Sequence, residues 1–223
     1  MAQFAAVAVS NLDAGLVLAP ERYDPRRVTK ALDGIPLGEM VEVISDQVYA
    51  TSCDKDQRYL VLDTGYAQEG VIRACKPPVN RDEIGSAKKR LQPDDVIVSR
   101  LRPYLRQVAY VDPGLFRFDG EPVDLLCSTE FFVLRSKGES IAFLVPYLLS
   151  DPVQRVLAAA QEGGHHPRFN QATLKGLVVP DSMCRQRKAI SDRVLRAVAL
   201  HRESESARRE LVSSCNGVVT ATA

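Results

Sequence analysis

The stretch Gly85–Val111, GSAKKRLQPDDVIVSRLRPYLRQVAYV, carries the densest local information in the chain. A basic run, Lys88-Lys89-Arg90, leads into a turn at Pro93-Asp94-Asp95. The β-branched run Val96-Ile97-Val98-Ser99 follows, then Arg100, Arg102 and Arg106 set around Pro103-Tyr104. This pattern predicts a strand, a corner, and a second strand over Gln107–Val111. Side chains alternate along a strand, so Val96, Val98, Arg100 and Arg102 fall on one face and Ile97, Ser99 and Leu101 on the other. The first face therefore turns from apolar to cationic as the strand leaves the core. Guanidinium forks on a rigid sheet can pair bidentately with a phosphate or a guanine edge, and a tyrosine on a proline-fixed corner offers a flat contact surface. The competing expectation is a solvated strand end whose arginines pair with Asp94, Asp95 and Asp112.

Upstream, Tyr59–Asp63 predicts a strand, Thr64-Gly65-Tyr66 with Glu69-Gly70 a glycine-punctuated loop, and Val71-Ile72 a return to extended chain. Lys76–Asp82, with Pro77-Pro78, is a connector. Pro36-Leu37-Gly38-Glu39 opens Met40–Ser45, a strand or a short helical turn. Gln3–Leu12 predicts a short strand, and the prolines of Asp13–Arg27 predict an extended arm.

Downstream, Pro113–Pro122 is a loop, and Val123–Ser128 and Glu130–Arg135 read as one or two strands interrupted at Ser128-Thr129. The period then changes. Ile141–Leu149 and Pro152–Gln161 read as helical, the latter burying Val153, Val156, Leu157 and Ala160, with Asp151-Pro152 as a helix start and Gly163-Gly164 as a stop. An exposed loop, His165-His166-Pro167-Arg168-Phe169-Asn170, precedes a helical turn over Thr173–Leu177 and a short β segment, Val178-Val179-Pro180. From a cap at Asp181-Ser182 one long helix runs to about Ser214. Its apolar stripe of Ile190, Val194, Ala197, Val198 and Leu211 is interrupted by His201, Ser204 and Arg208, which predicts a docking helix rather than a self-sufficient coiled coil. The expected architecture is α+β: a twisted, mostly β core with short helices over residues 1–180, including an arm over 1–36. One long C-terminal helix over 181–216 and a frayed tail over 217–223 follow.

A net charge of +1 across 223 residues gives no global field toward nucleic acid, so any such binding must come from a local patch. The five cysteines are scattered, without a Cys-x-x-Cys pair, as suits reduced thiols and not a disulfide framework or a zinc site. Phe4–Val9 is too short for a secretory signal and lacks its basic lead, and no apolar run reaches membrane-spanning length, so a soluble cytoplasmic protein is expected.

No catalytic constellation emerges. No acidic residue is followed two positions later by lysine, and glycine-rich phosphate loops, an Asn-Pro-Pro-aromatic motif and a nucleophile elbow are all missing. His165-His166 lacks a third metal ligand at standard spacing, Ser128-Thr129-Glu130 is ordinary at a strand break, and Cys127 reads as a core residue. No enzyme activity, cofactor or metal is expected.

The order of segments resembles the target-recognition domain of the specificity (S) subunits of type I restriction-modification systems. Four places carry the likeness. Leu12-Asp13-Ala14 with Tyr23-Asp24-Pro25 looks like the leader of single-domain members, and Lys89–Val111 is similar to the family's L-x-P-G-D-V-L-V-S-R strand, with Asp94 in place of the usual glycine. Cys127-Ser128-Thr129-Glu130 leading to Phe132-Val133-Leu134-Arg135 is the third. The fourth is Phe143–Ala160 with Gly163-Gly164, then Leu174–Pro180 and the helix containing Arg185-Gln186-Arg187-Lys188-Ala189-Ile190, where the family usually has Pro-x-x-Glu-Gln-x-x-Ile. Two features depart from the pattern. Cys184-Arg185 replaces the usual acidic lead of the closing helix, and a full S subunit has two recognition domains and two spacer helices where this chain has room for one of each, like a half subunit.

The resemblance implies a non-catalytic subunit that recognises a sequence in double-stranded DNA within a restriction-modification or related defence system and directs a methyltransferase (M) subunit to it. The long helix would set spacing, dock the methyltransferase and pair two copies as a homodimer. Under this reading the DNA contacts are Lys88, Lys89, Arg90, Arg100, Arg102, Tyr104, Arg106, His165, His166, Arg168 and Asn170, with Thr64 and Tyr66 at the margin. The alternative from another class is a protein-interaction adaptor of the same fold that does not read DNA.

Overall fold

A computed structural model describes residues 33–73, 76–163 and 166–221, with side chains to residue 215. The strand and arm expected over 3–27 lie outside the described residues.

The chain opens with β1 (Gly34–Pro36), α1 (Leu37–Met40) and β2 (Val41–Ile44), so the ambiguous stretch after Pro36 contains both a helical turn and a strand. There follow β3 (Tyr59–Leu62), the hairpin β4 (Ala67–Gln68) and β5 (Val71–Ile72), β6 (Lys88–Arg90), β7 (Val96–Ser99) and β8 (Val108–Tyr110). A second hairpin, β9 (Arg117–Phe118) with β10 (Glu121–Pro122), precedes β11 (Asp124–Ser128) and β12 (Phe131–Ser136). The helices α2 (Leu144–Leu149), α3 (Asp151–Ala159) and α4 (Gln171–Lys175) lead to β13 (Val178–Pro180), α5 (Asp181–Arg185) and α6 (Arg187–Ala221). The chain is α+β.

The central sheet is antiparallel, in the order β2-β12-β7-β8. Its alternation explains the layering. Val96, Val98, Phe132 and Leu134 point to one core, shared with Leu144, Leu148, Leu157 and Val198 of the helices, while Ile97, Phe131 and Val133 point to a second. The second core is closed by the sheet β3-β11-β6, whose Leu60, Leu62, Leu125 and Cys127 face it. Helices thus cover one face of the central sheet and a smaller sheet the other, and every residue of β7 is buried. Burial pushes the Cys127 thiol up to about 12, an inert core sulfur.

The break at Ser128-Thr129 is where the chain passes from the smaller sheet into the central one. The turn before β7 has Asp94 at φ +69°, a left-handed conformation that aspartate tolerates better than most residues, and the Asp94 carboxylate accepts from the Tyr110 hydroxyl. Asp95 is 1% exposed and accepts both arms of the Arg135 guanidinium at 2.9 and 2.8 Å. Asp112 accepts from Arg202 at 2.8 Å. The ion pairs expected between the central arginines and Asp94, Asp95 and Asp112 are therefore replaced by others, because these carboxylates face Tyr110, Arg135 and the long helix.

The basic run Lys88-Lys89-Arg90, read from sequence as a lead-in to a turn, is itself strand β6, registered against Ser128, Cys127 and Leu126. The helix expected from 181 breaks at Gln186, between α5 and α6, and α6 continues past Ser214 to Ala221. Of the expected stripe, Val198 is buried and Ile190 and Val194 pack on the core, but Ala197 and Leu211 face outward. The docking face continues through polar residues instead: Ser191 Oγ accepts from the Phe143 amide at 3.2 Å, and Arg202 bridges Asp112 and Glu205. No described helix is long and apolar enough to cross a membrane.

Candidate nucleic-acid interface

Beyond Ser99 the chain leaves the sheet and zips onto a distant loop. The Arg100 carbonyl accepts from the Phe169 amide at 3.2 Å, Arg102 N–H donates to the Pro167 carbonyl at 3.0 Å, and Leu101 lies opposite Arg168 in an isolated antiparallel bridge. Arg168 is also bridged to Glu162 through a pair of backbone hydrogen bonds of 2.8 and 2.9 Å. Phe169 anchors this loop: it is buried, with its ring 5.6 Å from that of Phe132 on β12. Two groups of candidate residues far apart in sequence, Arg100–Arg106 and His166–Asn170, are thereby brought together.

Side chains reinforce the junction. Glu130, at the entry to β12, accepts Arg100 Nε at 3.0 Å and two arms of Arg168, Nε at 2.9 Å and Nη2 at 2.7 Å. The Arg168 hydrogen bonds, and then those of Arg100, hold the Glu130 carboxyl at about 2, well below the usual carboxylate value, against a desolvation effect of opposite sign. Arg102 Nη2 lies 3.2 Å from His166 Nδ1. A guanidinium only donates, so Nδ1 is the accepting atom of this contact.

The corner between β7 and β8 is a 3₁₀ turn, Pro103–Leu105, flanked by Arg102 at φ +47° and Arg106 at φ +50°. Left-handed backbone at two non-glycine residues costs about 1–3 kcal/mol each. Tyr104 is 61% exposed at the tip, with Leu105 beside it. Arg106 is ion-paired with Asp151 at the start of α3, so this turn is tied to the helical layer.

The other candidates lie elsewhere. Lys88 and Lys89 are each only 8% exposed. Lys88 Nζ donates to Ser86, and Lys89 Nζ donates to the Phe131 carbonyl at 2.9 Å and lies 5.8 Å from the Phe132 ring centroid. Burial lowers the Lys89 pKa. The two side chains leave the strand on opposite faces: Lys89 reaches toward the central sheet at Phe131 and Phe132, and Lys88 folds back onto Ser86, so both ammonium groups are engaged within the chain. Arg90 is ion-paired with Asp124 on the smaller sheet. Asn170 is exposed and caps α4, its Oδ1 accepting from the Thr173 amide at 2.9 Å. Thr64 and Tyr66 share a 3₁₀ turn; Tyr66 packs on the second core, and among the described residues neither hydrogen-bonds to the arginine group. His165 lies outside the described residues.

Glu130, Asp151 and Leu105 were not assigned to this site from sequence. Glu130 had a visible signal, an acidic residue closing the Cys127-Ser128-Thr129-Glu130 strand break, but its arginine partners are far away along the chain. Among the described residues no group of three or more His, Cys, Asp or Glu side chains is arranged to hold a metal ion.

No model of a known protein family matches the chain, and no curated protein does. Solved structures do. One is a chain from a structure concerning complex assembly and conformational transition of the type I R-M system, with a TM-score of 0.57 and 22% identity over 84% of this chain and 50% of that one. Another is the HsdS subunit from Thermoanaerobacter tengcongensis, with a TM-score of 0.50 and 22% identity over 81% of this chain and 44% of that one. The chain spans about half the length of these neighbours or less. At this identity the likeness is one of architecture, and what it establishes is an S-subunit-like fold.

Proposed function

We propose that the chain is a non-catalytic, sequence-specific recognition subunit for double-stranded DNA in a restriction-modification or related defence system, and that it brings a methyltransferase to its site. The observation that carries this reading is the junction of Arg100–Arg106 with His166–Arg168. It puts four arginines and an exposed tyrosine on one strained, well-tied surface of an S-subunit-like fold. Arginine reads guanine O6 and N7 bidentately and also holds phosphates, while hydrogen bonds to the backbone position the duplex without specifying sequence.

The long helix suits the partner role. Ala197, Leu200, Ser204, Ala207, Leu211 and Ser214 recur at alternating spacings of three and four, and all are exposed, Leu200 at 55% and Leu211 at 66%. Such a seam of small and leucine side chains fits a second helix, from another copy of the chain or from the methyltransferase. In the homodimer reading the two copies address mirrored half-sites. The globular part over 33–180 and the helix beyond it then divide the work between DNA reading and assembly.

The test is selection from a random pool of DNA duplexes by the purified protein at moderate salt, with the bound fraction sequenced. An enriched motif is the expected result, and two mirrored half-sites at fixed spacing are expected if the protein is a homodimer. Retention without a motif contradicts sequence reading. An adaptor role is favoured by one observation: Arg90, Arg100, Arg106 and Arg168 each already have a carboxylate partner. That role predicts no steep loss of DNA affinity with salt, whereas phosphate contacts predict one.

A further inference from the structure

Among the described residues, Glu130 is the only carboxylate that two of the candidate DNA-reading arginines share. It takes Arg100 by Nε alone, at 3.0 Å, and Arg168 side-on through Nε and Nη2. Its own backbone carbonyl accepts from the Arg100 amide at 2.9 Å, so strand and side chain fix the same pair of residues. Arg168 Nη1 is further engaged by the His166 carbonyl at 2.9 Å. The consequences for the two arginines differ. Arg168 has donors on three nitrogens committed inside the junction. Arg100 is held at its Nε and has no other side-chain partner among the described residues, so its terminal Nη1/Nη2 edge stays available, and the side chain is 41% exposed.

We propose that Glu130 is a positioning residue for base recognition, and that it clamps Arg100 by Nε so that the terminal edge of its guanidinium meets O6 and N7 of a guanine in the major groove. This rests on the DNA-reading function proposed above. The chemistry favours it over simple phosphate binding. A carboxylate beside the arginines reduces the local positive charge and so weakens phosphate attraction, but it removes side-chain freedom from Arg100 and selects one orientation of a planar fork. A site built only for phosphates gains nothing from a buttress that repels them.

The two roles separate in the Glu130→Gln protein, which keeps the shape of the side chain and loses its charge. Random-duplex selection is run on the wild type, Glu130→Gln, Arg100→Lys and Arg106→Ala, with thermal unfolding of each as a folding check and affinity for a scrambled duplex measured alongside. Glu130→Gln and Arg100→Lys are expected to relax the same single base position, with preference for guanine there falling roughly ten-fold. Affinity of Glu130→Gln for the scrambled duplex is expected to rise, because a negative charge is removed, whereas Arg106→Ala is expected to weaken binding to every duplex without relaxing that base position. Arg100→Lys keeps the charge and removes the fork, so it tests the assignment even if Glu130→Gln folds poorly. If the wild type selects a motif and Glu130→Gln, folded, selects the same motif with the same strength, this inference falls and the DNA-reading function stands. If the wild type selects no motif, both fall.

Discussion

Two basic segments ten residues apart meet opposite fates in this protein. Lys88-Lys89-Arg90 becomes strand β6, with both lysines buried and each ammonium on a backbone carbonyl, Lys89 on that of Phe131 and Lys88 on that of Ser86. Arg100–Arg106 turns between two left-handed residues, Arg102 and Arg106, with Arg100 and Arg102 half-buried, Pro103 buried and Tyr104, Leu105 and Arg106 exposed. Charge does not decide between these outcomes; the element does. A strand packed against apolar side chains takes up lysine stems much as it does aliphatic side chains, provided each ammonium reaches hydrogen-bond acceptors. The strained corner buries only Pro103 and leaves Tyr104 and Leu105 exposed.

The largest expected effect breaks the first half of this contrast. Lys89→Glu sets a carboxylate against the Phe131 carbonyl in a buried position and should cost roughly 3 kcal/mol or more of stability, read as a fall in the denaturant midpoint. An unchanged midpoint would mean that Lys89 is exposed in solution. Arg100→Ala should do the reverse, lowering duplex affinity about ten-fold or more at moderate salt while stability moves by roughly 1 kcal/mol or less, measured by titration and thermal melt on the same protein.

Arg102→Gly sharpens the comparison by separating strain from function. Glycine adopts the left-handed conformation without penalty, so stability should hold or rise by up to about 1 kcal/mol while DNA affinity drops. A smaller effect concerns pH. Glu130 is held at about 2 against an ordinary value of 4.5, so its ion pairs stabilise fully above 4.5 and are lost as pH falls through 2. Carboxyl resonances followed by NMR should place its midpoint near 2; a midpoint near 4.5 would dissolve the Arg100–Glu130–Arg168 cluster.

Much of the scaffold was legible because its signals are local. The β-branched run of β7, the paired strands around Ser128-Thr129, the proline at the start of α3 and the polar length of α6 all show in short windows. Strand β6 was not legible, since Lys-Lys-Arg offers no apolar alternation and its burial depends on layers formed elsewhere. The site was half legible. Arg100, Arg102 and Tyr104 could be picked out by residue type and spacing. The bridge between Leu101 and Arg168, and the role of Glu130 as common partner of Arg100 and Arg168, arise from contacts between chain segments remote in sequence that no local pattern encodes. The partners of the central arginines were misassigned for the same reason: Asp94, Asp95 and Asp112 are near in sequence but face other groups.

The proposed function requires Arg100 and Arg102 to face DNA while Lys88 and Lys89 do not. The most direct test is the duplex affinity of the Arg100→Glu/Arg102→Glu protein, with its fold checked by circular dichroism and melting, across a range of salt concentrations. The expected result is a folded protein whose binding is lost or weakened by at least about a hundred-fold, with a shallower salt dependence because phosphate contacts are gone. A folded double variant that binds as tightly as the original, with the same salt slope, would contradict the account and move DNA recognition off this surface.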